Sequence, residues 1–345
     1  MLERLHVRSF RGFHDLEVTQ LGRINLVAGA NNVGKTTLLE AVFLLSGAAN
    51  ARMAINGHVI RDQDQGKSPR SWASVYWKPF FAELNTSQPV IISGHHSTIG
   101  DMKLDISWGR KLRTEIPREE HGKAHSHEQS LKFTYFDQQS GAIESEINET
   151  VEKFNFGQKH KYIPFATAIL QPGDGDVNDD AVSLGQLRTQ KRGHHLLDAL
   201  QVVEPRLQGI EDNSSSGDPM IWVDIGLREL VPLLVMGAGL THVARIVLRA
   251  AVAKDGVLLI DEIENGLHHS VLSNVWLAIE RVVELFGVQI FATTHSRECV
   301  AAAYDALGAD GFRLHRLDVA EETTRCVTYS SEALEGAMRH NLEFR

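Results

Sequence analysis

Residues 24–40 read INLVAGANNVGKTTLLE, a short apolar strand running into a glycine-rich turn and then into a helix that begins on a lysine and two threonines. Ile24, Leu26 and Val27 have the pattern of a buried strand, and Leu38, Leu39, Val42 and Phe43 make an apolar helical face beyond the turn. Gly29 and Gly34 let the backbone curl so that N–H groups of the turn, those of Asn31 and Asn32 among them, point inward. A helix starting near Lys35 adds the positive end of its dipole. Such a cradle suits a polyphosphate. Lys35 reaches the β and γ phosphates as a point charge, the Thr36 hydroxyl is placed to ligate Mg²⁺, and Thr37 supports the turn.

A phosphate loop needs acidic partners, and one stretch has the required form. Val257 to Ile260 are a four-residue apolar run closed by Asp261 and Glu262, a buried strand delivering two carboxylates at its C-terminal end. Asp261 is the expected Mg²⁺ ligand, directly or through water, and Glu262 the group that polarises the attacking water. One strand later, VQIFATTHS (288–296) ends in Thr294, His295 and Ser296, which puts His295 within reach of the γ-phosphate if the sheet is wound in the usual way. Between them, VPLLVMGAGLTHVARIVLRAAV (231–252) contains a turn at Gly237 and Gly239 that opens a helix, a second anion-binding helix start.

Size and composition bound the rest. A chain of 345 residues, 43% hydrophobic, buries a substantial core, as one bilobed domain or two intimate ones. No run of 18 apolar residues occurs, and the opening MLERLHVRSF is charged and alternating rather than a signal peptide, so a cytoplasmic protein with no membrane partner is expected. Cys299 and Cys326 are too few for a disulfide framework or a zinc site. The formal charge of −9 excludes a basic coat but leaves a local cationic groove open. His121, His125 and His127 cluster in a polar loop whose spacing does not favour a metal.

Around the loop, residues 2–8 alternate and FHDLEV (13–18) alternates again after Arg11-Gly12-Phe13, which reads as a β-hairpin packed beside the nucleotide strand. Arg11 is a candidate contact to the adenine or phosphates, the alternative being a solvated edge charge. From 48 to 160 the pattern becomes a β-rich insert. SWASVYWKPFFAEL (71–84) reads as an amphipathic aromatic helix, 89–109 as short strands, and 131–147 as a hairpin turning at Ser140-Gly141. Trp72, Tyr76 and Trp77 are base-stacking candidates or, more ordinarily, core. No sustained heptad repeat signals a coiled-coil arm. Residues 161–250 form a helical lobe, with a strand in YIPFATAIL (162–170), a helix over HHLLDALQVV (194–203) ending at Pro205, a loop EDNSSSGDP (211–219) and a strand MIWVDIG (220–226). The basic RTQKRGHH (188–195) is either a phosphate contact or a solvated helix start. Residues 251–345 carry the acidic strand and the remaining sheet.

Lys35 and Asp261 stand 226 residues apart, too far for one βαβ unit, with a glycine-rich helix start before the acidic strand and a histidine strand after it. That order resembles ABC-type ATPase heads. SFRGF (9–13), GANNVGKTTLLEA (29–41), LLIDEIENGLH (258–268) and TTHS (293–296) look like the OLD and RecF related group of AAA/ABC ATPases, which includes SMC heads; LLDALQVVEPRLQGIE (196–211), FRLHRL (312–317) and NLEFR (341–345) are similar to it as well.

The resemblance implies an α/β P-loop NTPase with a mixed central sheet, an antiparallel β insert and a helical lobe. It makes MGAG (236–239) the signature, with Gly237 and Gly239 contacting the γ-phosphate held by a second copy, so that two heads close as a homodimer around two ATPs. Where the family often has serine and an acid, this chain has Met236 and Ala238, leaving backbone contacts. Glu264, Asn265 and Gly266 correspond to the loop that crosses the dimer interface, His268 to a common histidine, and Gln171 is the candidate for the glutamine loop. No acidic triad follows His295, so an internal TOPRIM nuclease is not expected. The implied role is an ATP-hydrolysing switch coupled to double-stranded DNA or to a separate nuclease or toxin effector in repair or phage defence, with a non-catalytic ATP-dependent scaffold as the alternative.

Overall fold

The computed structural model describes residues 1–51, 53, 73–111, 128–149, 154–156, 162–173, 177–213, 219–321 and 323–340. The chain opens with the expected hairpin, β1 (Leu2–Phe10) and β2 (Phe13–Val18), and then enters β3 (Ile24–Ala28), the phosphate loop and α1 (Lys35–Ser46). Strands β4 (Val90–His96), β5 (Gly100–Lys111), β6 (Glu128–Asp137), β7 (Gly141–Glu149) and β8 (Phe154–Phe156) follow in antiparallel succession. Because β4 pairs with β1, the hairpin and the β-rich stretch make one sheet in the order β2-β1-β4-β5-β6-β7-β8. The hairpin thus lies in a different sheet from the nucleotide strand, not beside it in the same one.

Beyond β9 (Thr167–Leu170), helices α2 (Val177–Thr189) and α3 (Gly193–Val203) lead to a small sheet of β10 (Gly209–Asn213), β11 (Met220–Asp224) and β12 (Val231–Pro232). The stretch 211–219 is therefore not all loop, since its first three residues finish β10. Helix α4 (Ala238–Val252) feeds β13 (Val257–Ile260), α5 (Leu272–Phe286) feeds β14 (Gln289–Thr294), and α6 (Arg297–Leu307) feeds β15 (Arg313–Ala320), with β16 (Thr323–Thr328) and α7 (Ser331–Arg339) last. The central sheet has the order β16-β15-β3-β14-β13-β9, parallel throughout except for β16 on the edge, which is the mixed sheet the sequence implies.

Strands β3, β13 and β14 are buried along their whole length, and their alternate residues explain why. Leu26, Leu258, Ile260, Ile290 and Ala292 face a core shared with α4, α5 and α6, while Val27, Leu259 and Phe291 face a second core shared with the antiparallel sheet. Helix α1 lies in that second core, with Leu38, Leu39, Val42 and Leu45 buried, so its apolar character wraps around it rather than forming a stripe. Gln289, 1% exposed, ties the two sheets. Its Oε1 accepts from Leu2 N–H at 2.8 Å, and its Nε2 donates to the carbonyls of Leu2 and Gly22, each at 2.8 Å.

The aromatic stretch departs from the expected amphipathic helix. Ala73–Trp77 is a π-helical turn, followed by 3₁₀ turns at Lys78–Phe80 and Ala82–Leu84. Pro79 removes a backbone donor, Phe81 is extended, and Glu83 and Leu84 have positive φ, so no α-helix propagates. Trp77, Phe80 and Phe81 are at most 2% exposed and belong to the core. Trp72, the His121, His125 and His127 cluster and NLEFR lie outside the described residues. Among the described residues the longest helices have 15 residues, and none is long and apolar enough to cross a membrane. The two cysteines are free thiols.

Candidate active site

The turn between β3 and α1 is shaped by positions that a side chain would spoil. Gly34 caps α1 with φ 101°, and a Cβ there would stand 2.5 Å from the Phe13 ring. A Cβ on Gly29, at φ 152°, would stand 2.6 Å from the Leu317 carbonyl oxygen. Asn32 also has positive φ, which asparagine tolerates better than most residues, and Asn31 and Asn32 are exposed on the loop's crest. Lys35 turns back onto the turn, its Nζ donating to the carbonyls of Gly29 at 2.9 Å and Ala30 at 2.8 Å. Burial pushes the Lys35 ammonium below the usual lysine range, while Asp261, Glu262 and Glu264 pull in the opposite direction. Thr37 is buried in the first turn of α1.

Strand β14 lies between β3 and β13, so the phosphate loop, His295 and the acidic pair share one sheet edge. A chain of hydrogen bonds joins them. Thr36 Oγ1 donates to Asp261 Oδ2 at 2.9 Å; Thr293 Oγ1 donates to Asp261 Oδ1 at 2.6 Å and accepts from Glu262 N–H at 2.8 Å. Glu262 sits at φ 48°, in the left-handed region that strains a non-glycine residue, and its side chain remains 42% exposed. His295 Nδ1 is 4.0 Å from Glu262 Oε1 and 3.1 Å from Glu264 Oε1, and Glu264 also accepts the His295 backbone N–H at 2.9 Å. Thr36 and Asp261 offer the hard oxygen ligands that Mg²⁺ takes, so the residues present fit that ion.

The other expected residues are placed variously. Gln171 follows β9 directly, one residue past Leu170, whose carbonyl accepts Asp261 N–H at 2.9 Å. Gly237, at φ 104°, caps α4, and Gly239 lies in its first turn; Leu234 and Val235 just ahead are 47% and 67% exposed. Asn265, Gly266 and His268 are exposed, whereas Glu264 is turned inward. Arg11 is held elsewhere than on the phosphate loop, its Nε 2.8 Å from Glu40 on α1 and its guanidinium over the rings of Phe10 and Phe80. Of the basic cluster, Arg188 pairs with Glu211 and Asp212.

Three side chains make contacts about the site that a reading of the sequence does not show. Thr293 looks like one more strand residue, yet it joins both carboxylate-bearing positions; its signal is a second hydroxyl at the end of a wholly buried strand. Glu264 reads as an interface residue but faces His295. His242 on α4 hydrogen-bonds the Ile263 backbone, and burial pushes its imidazole down to about 4. His194, His195 and Asp198 have metal-ligand spacing, but Arg192 and Arg281 set positive charge beside His195.

A glycine-rich turn whose threonine is bonded to a strand-end carboxylate, with a histidine strand between them, defines a P-loop ATPase. The family model described as "AAA domain, putative AbiEii toxin, Type IV TA system" matches residues 24–301, and the chain belongs to that family. An ATP/GTP phosphatase of Helicobacter pylori is 26% identical over 337 residues, 87% of this chain and 86% of that protein. The DNA replication and repair protein RecF of Geotalea uraniireducens is 38% identical over 60 residues, 17% of this chain and 16% of its own length. In fold, the chain is similar to the crystal structure of an SMC head bound to the C-winged helix domain of ScpA, with TM-score 0.53 and 12% identity over 96% of this chain and 98% of that one. An SMC head domain with an extended coiled coil from Pyrococcus furiosus gives TM-score 0.50 and 12% identity over 99% and 98%.

Proposed function

We propose that this chain hydrolyses ATP to ADP and phosphate and that nucleotide closes two copies into a dimer. Closure is then transmitted to double-stranded DNA or to a separate nuclease or toxin effector. The observation that carries the reading is the bonded series Thr36, Asp261, Thr293, Glu262, which ties the phosphate loop to the Asp261 carboxylate and, through Thr293, to the backbone of Glu262. The near full-length likeness to an ATP/GTP phosphatase supports hydrolysis. The RecF likeness supports DNA, and the family description supports a toxin or defence setting. Leu234 and Val235, exposed beside Gly237, support a face that is covered on closure.

The amides of Gly29, Asn31, Asn32 and Gly34 and the start of α1 receive the phosphates, with Thr37 bracing the turn. Lys35 exchanges its two carbonyl partners for β and γ oxygens. Thr36 and Asp261 would hold Mg²⁺, which would supply neutralisation of phosphate charge. Glu262 takes the proton of the water that attacks the γ-phosphorus as the bond to the β–γ bridging oxygen breaks, and His295 contacts the γ-phosphate. Gly237 and Gly239 present the start of α4 to the nucleotide of the second copy. Arg11, held on Glu40 of the helix that opens on the phosphate loop, stands as a candidate contact to the adenine or phosphates.

The test is ATP turnover together with solution mass, for wild type and Glu262→Gln, with and without double-stranded DNA. Wild type is expected to turn over, and Glu262→Gln to run about 100-fold slower or worse and to accumulate as an ATP-bound dimer. A native rate in Glu262→Gln removes that residue from the role of base. Absent turnover in wild type under every condition favours an ATP-dependent scaffold acting on a protein partner.

A further inference from the structure

The loop that follows β13 is bonded three times to the end of β14 and the residue after it. Glu262 N–H donates to Thr293 Oγ1 at 2.8 Å, Ile263 N–H to the Thr293 carbonyl at 3.1 Å, and His295 N–H to Glu264 Oε1 at 2.9 Å. The third bond turns Glu264 inward, its side chain only 10% exposed, and sets the same oxygen 3.1 Å from His295 Nδ1. Its other oxygen, Oε2, is sealed from solvent and has no hydrogen-bond partner among the described residues.

We propose that Glu264 is a positioning residue for His295: one carboxylate oxygen accepts the backbone N–H and stands 3.1 Å from the Nδ1 edge of the ring, so that Nε2 is the edge left for the nucleotide. The proposal rests on the site being an ATP-hydrolysing one. A carboxylate oxygen 3.1 Å from Nδ1 favours the tautomer that carries its proton there and leaves Nε2 facing away from the acid before any ligand arrives. Folding alone gives no reason for an acid here. A glutamine carbonyl would accept the same backbone N–H, and its amide would avoid burying a carboxylate oxygen with no donor, which disfavours the folded state. Around the pair lie Glu262, 4.0 Å from Nδ1, and the Lys35 ammonium, whose field includes Glu264. The carboxylate pair is thus joined electrostatically to the phosphate loop as well as to the histidine strand.

The experiment compares full-length wild type, Glu264→Gln, His295→Ala and the double variant by kcat and KM for ATP, by thermal midpoint, and by the ¹⁵N resonances of the His295 ring in nucleotide-free protein. Glu264→Gln is expected to lower kcat by about tenfold or more with KM little changed, to leave the thermal midpoint unchanged or raised, and to move the Nδ1 resonance. Added to His295→Ala it should have almost no further effect, because the two act as one unit. A wild-type kcat in Glu264→Gln, a loss that follows a fallen thermal midpoint, an unmoved Nδ1 resonance, or losses that multiply in the double variant would each overturn the assignment. A wild type without ATP turnover would sink the hydrolytic reading instead; the ring resonance in nucleotide-free protein would still decide whether Glu264 sets His295.

Discussion

Lys35 illustrates how much of the site hangs on single atoms. Its ammonium is the one positive side chain shown bonded to the phosphate loop among the described residues, and it holds two loop carbonyls in readiness. Lys35→Ala is expected to weaken ATP binding by at least about 100-fold, a loss of roughly 3 kcal/mol for a buried charge-assisted contact, measured by titration with a fluorescent ATP analogue. Thr293 makes a second case. Thr293→Val keeps the shape but removes the acceptor of Glu262 N–H and a donor to Asp261, so stability should fall by about 1–3 kcal/mol in urea unfolding, and ATP turnover should fall with it.

His315, fully buried between Thr328 and Asn25, is the clearest acid-sensitive residue. Burial pushes its imidazole down to about 4. Between about pH 6.5 and 4 the unfolded chain takes up a proton that the folded one refuses, so stability is full above that window and declines as pH falls through it, by up to about 3 kcal/mol. His96 and His242 are lowered in the same direction and contribute to the same decline. Urea unfolding across this range should therefore show a slope shallower by about one proton in His315→Gln than in wild type.

Among elements, legibility followed the directness of the physical signal. The strand, turn and helix of 24–46 could be read because glycine placement, apolar strand and helical face agree, and β13 emerged at its exact bounds because a short apolar run closed by two acids has few other readings. The aromatic stretch misled because Trp77, Phe80 and Phe81 have near-helical spacing yet are drawn into the core by contacts far along the chain, with Pro79 interrupting the ladder. The sheet to which the hairpin belongs was equally hidden, since β1 pairs with β4 across a long sequence gap that local pattern does not report. Gln289 is a lesson of the same kind: a polar residue opening an apolar strand, silent in the sequence, that ties β14 to β1. Gln289→Leu leaves the Leu2 amide and the carbonyls of Leu2 and Gly22 without this partner, and a loss of about 3 kcal/mol is expected in urea unfolding.

At the scale of the whole molecule, the central sheet is common to both cores, so neither core is complete without it. Trp77 lies in the core of the antiparallel sheet and Trp276 in that of the helices, each fully buried. Variants that retain one or the other as the sole tryptophan should report coincident urea midpoints, and a separation of the two would show the lobes melting independently. The same sharing suits a switch, because displacement of the acidic or histidine strand end is felt on both faces of the sheet.

The tie between Leu2 and Gln289 also has a meaning for how the molecule is made. It spans 287 residues, and β3 finds both of its sheet neighbours, β14 and β15, only far along the chain. At ribosomal speeds the nucleotide strand waits on the order of 15–60 s for those neighbours. The growing chain therefore carries its phosphate loop without the sheet that holds it until β14 and β15 have emerged, and competence for ATP waits on them.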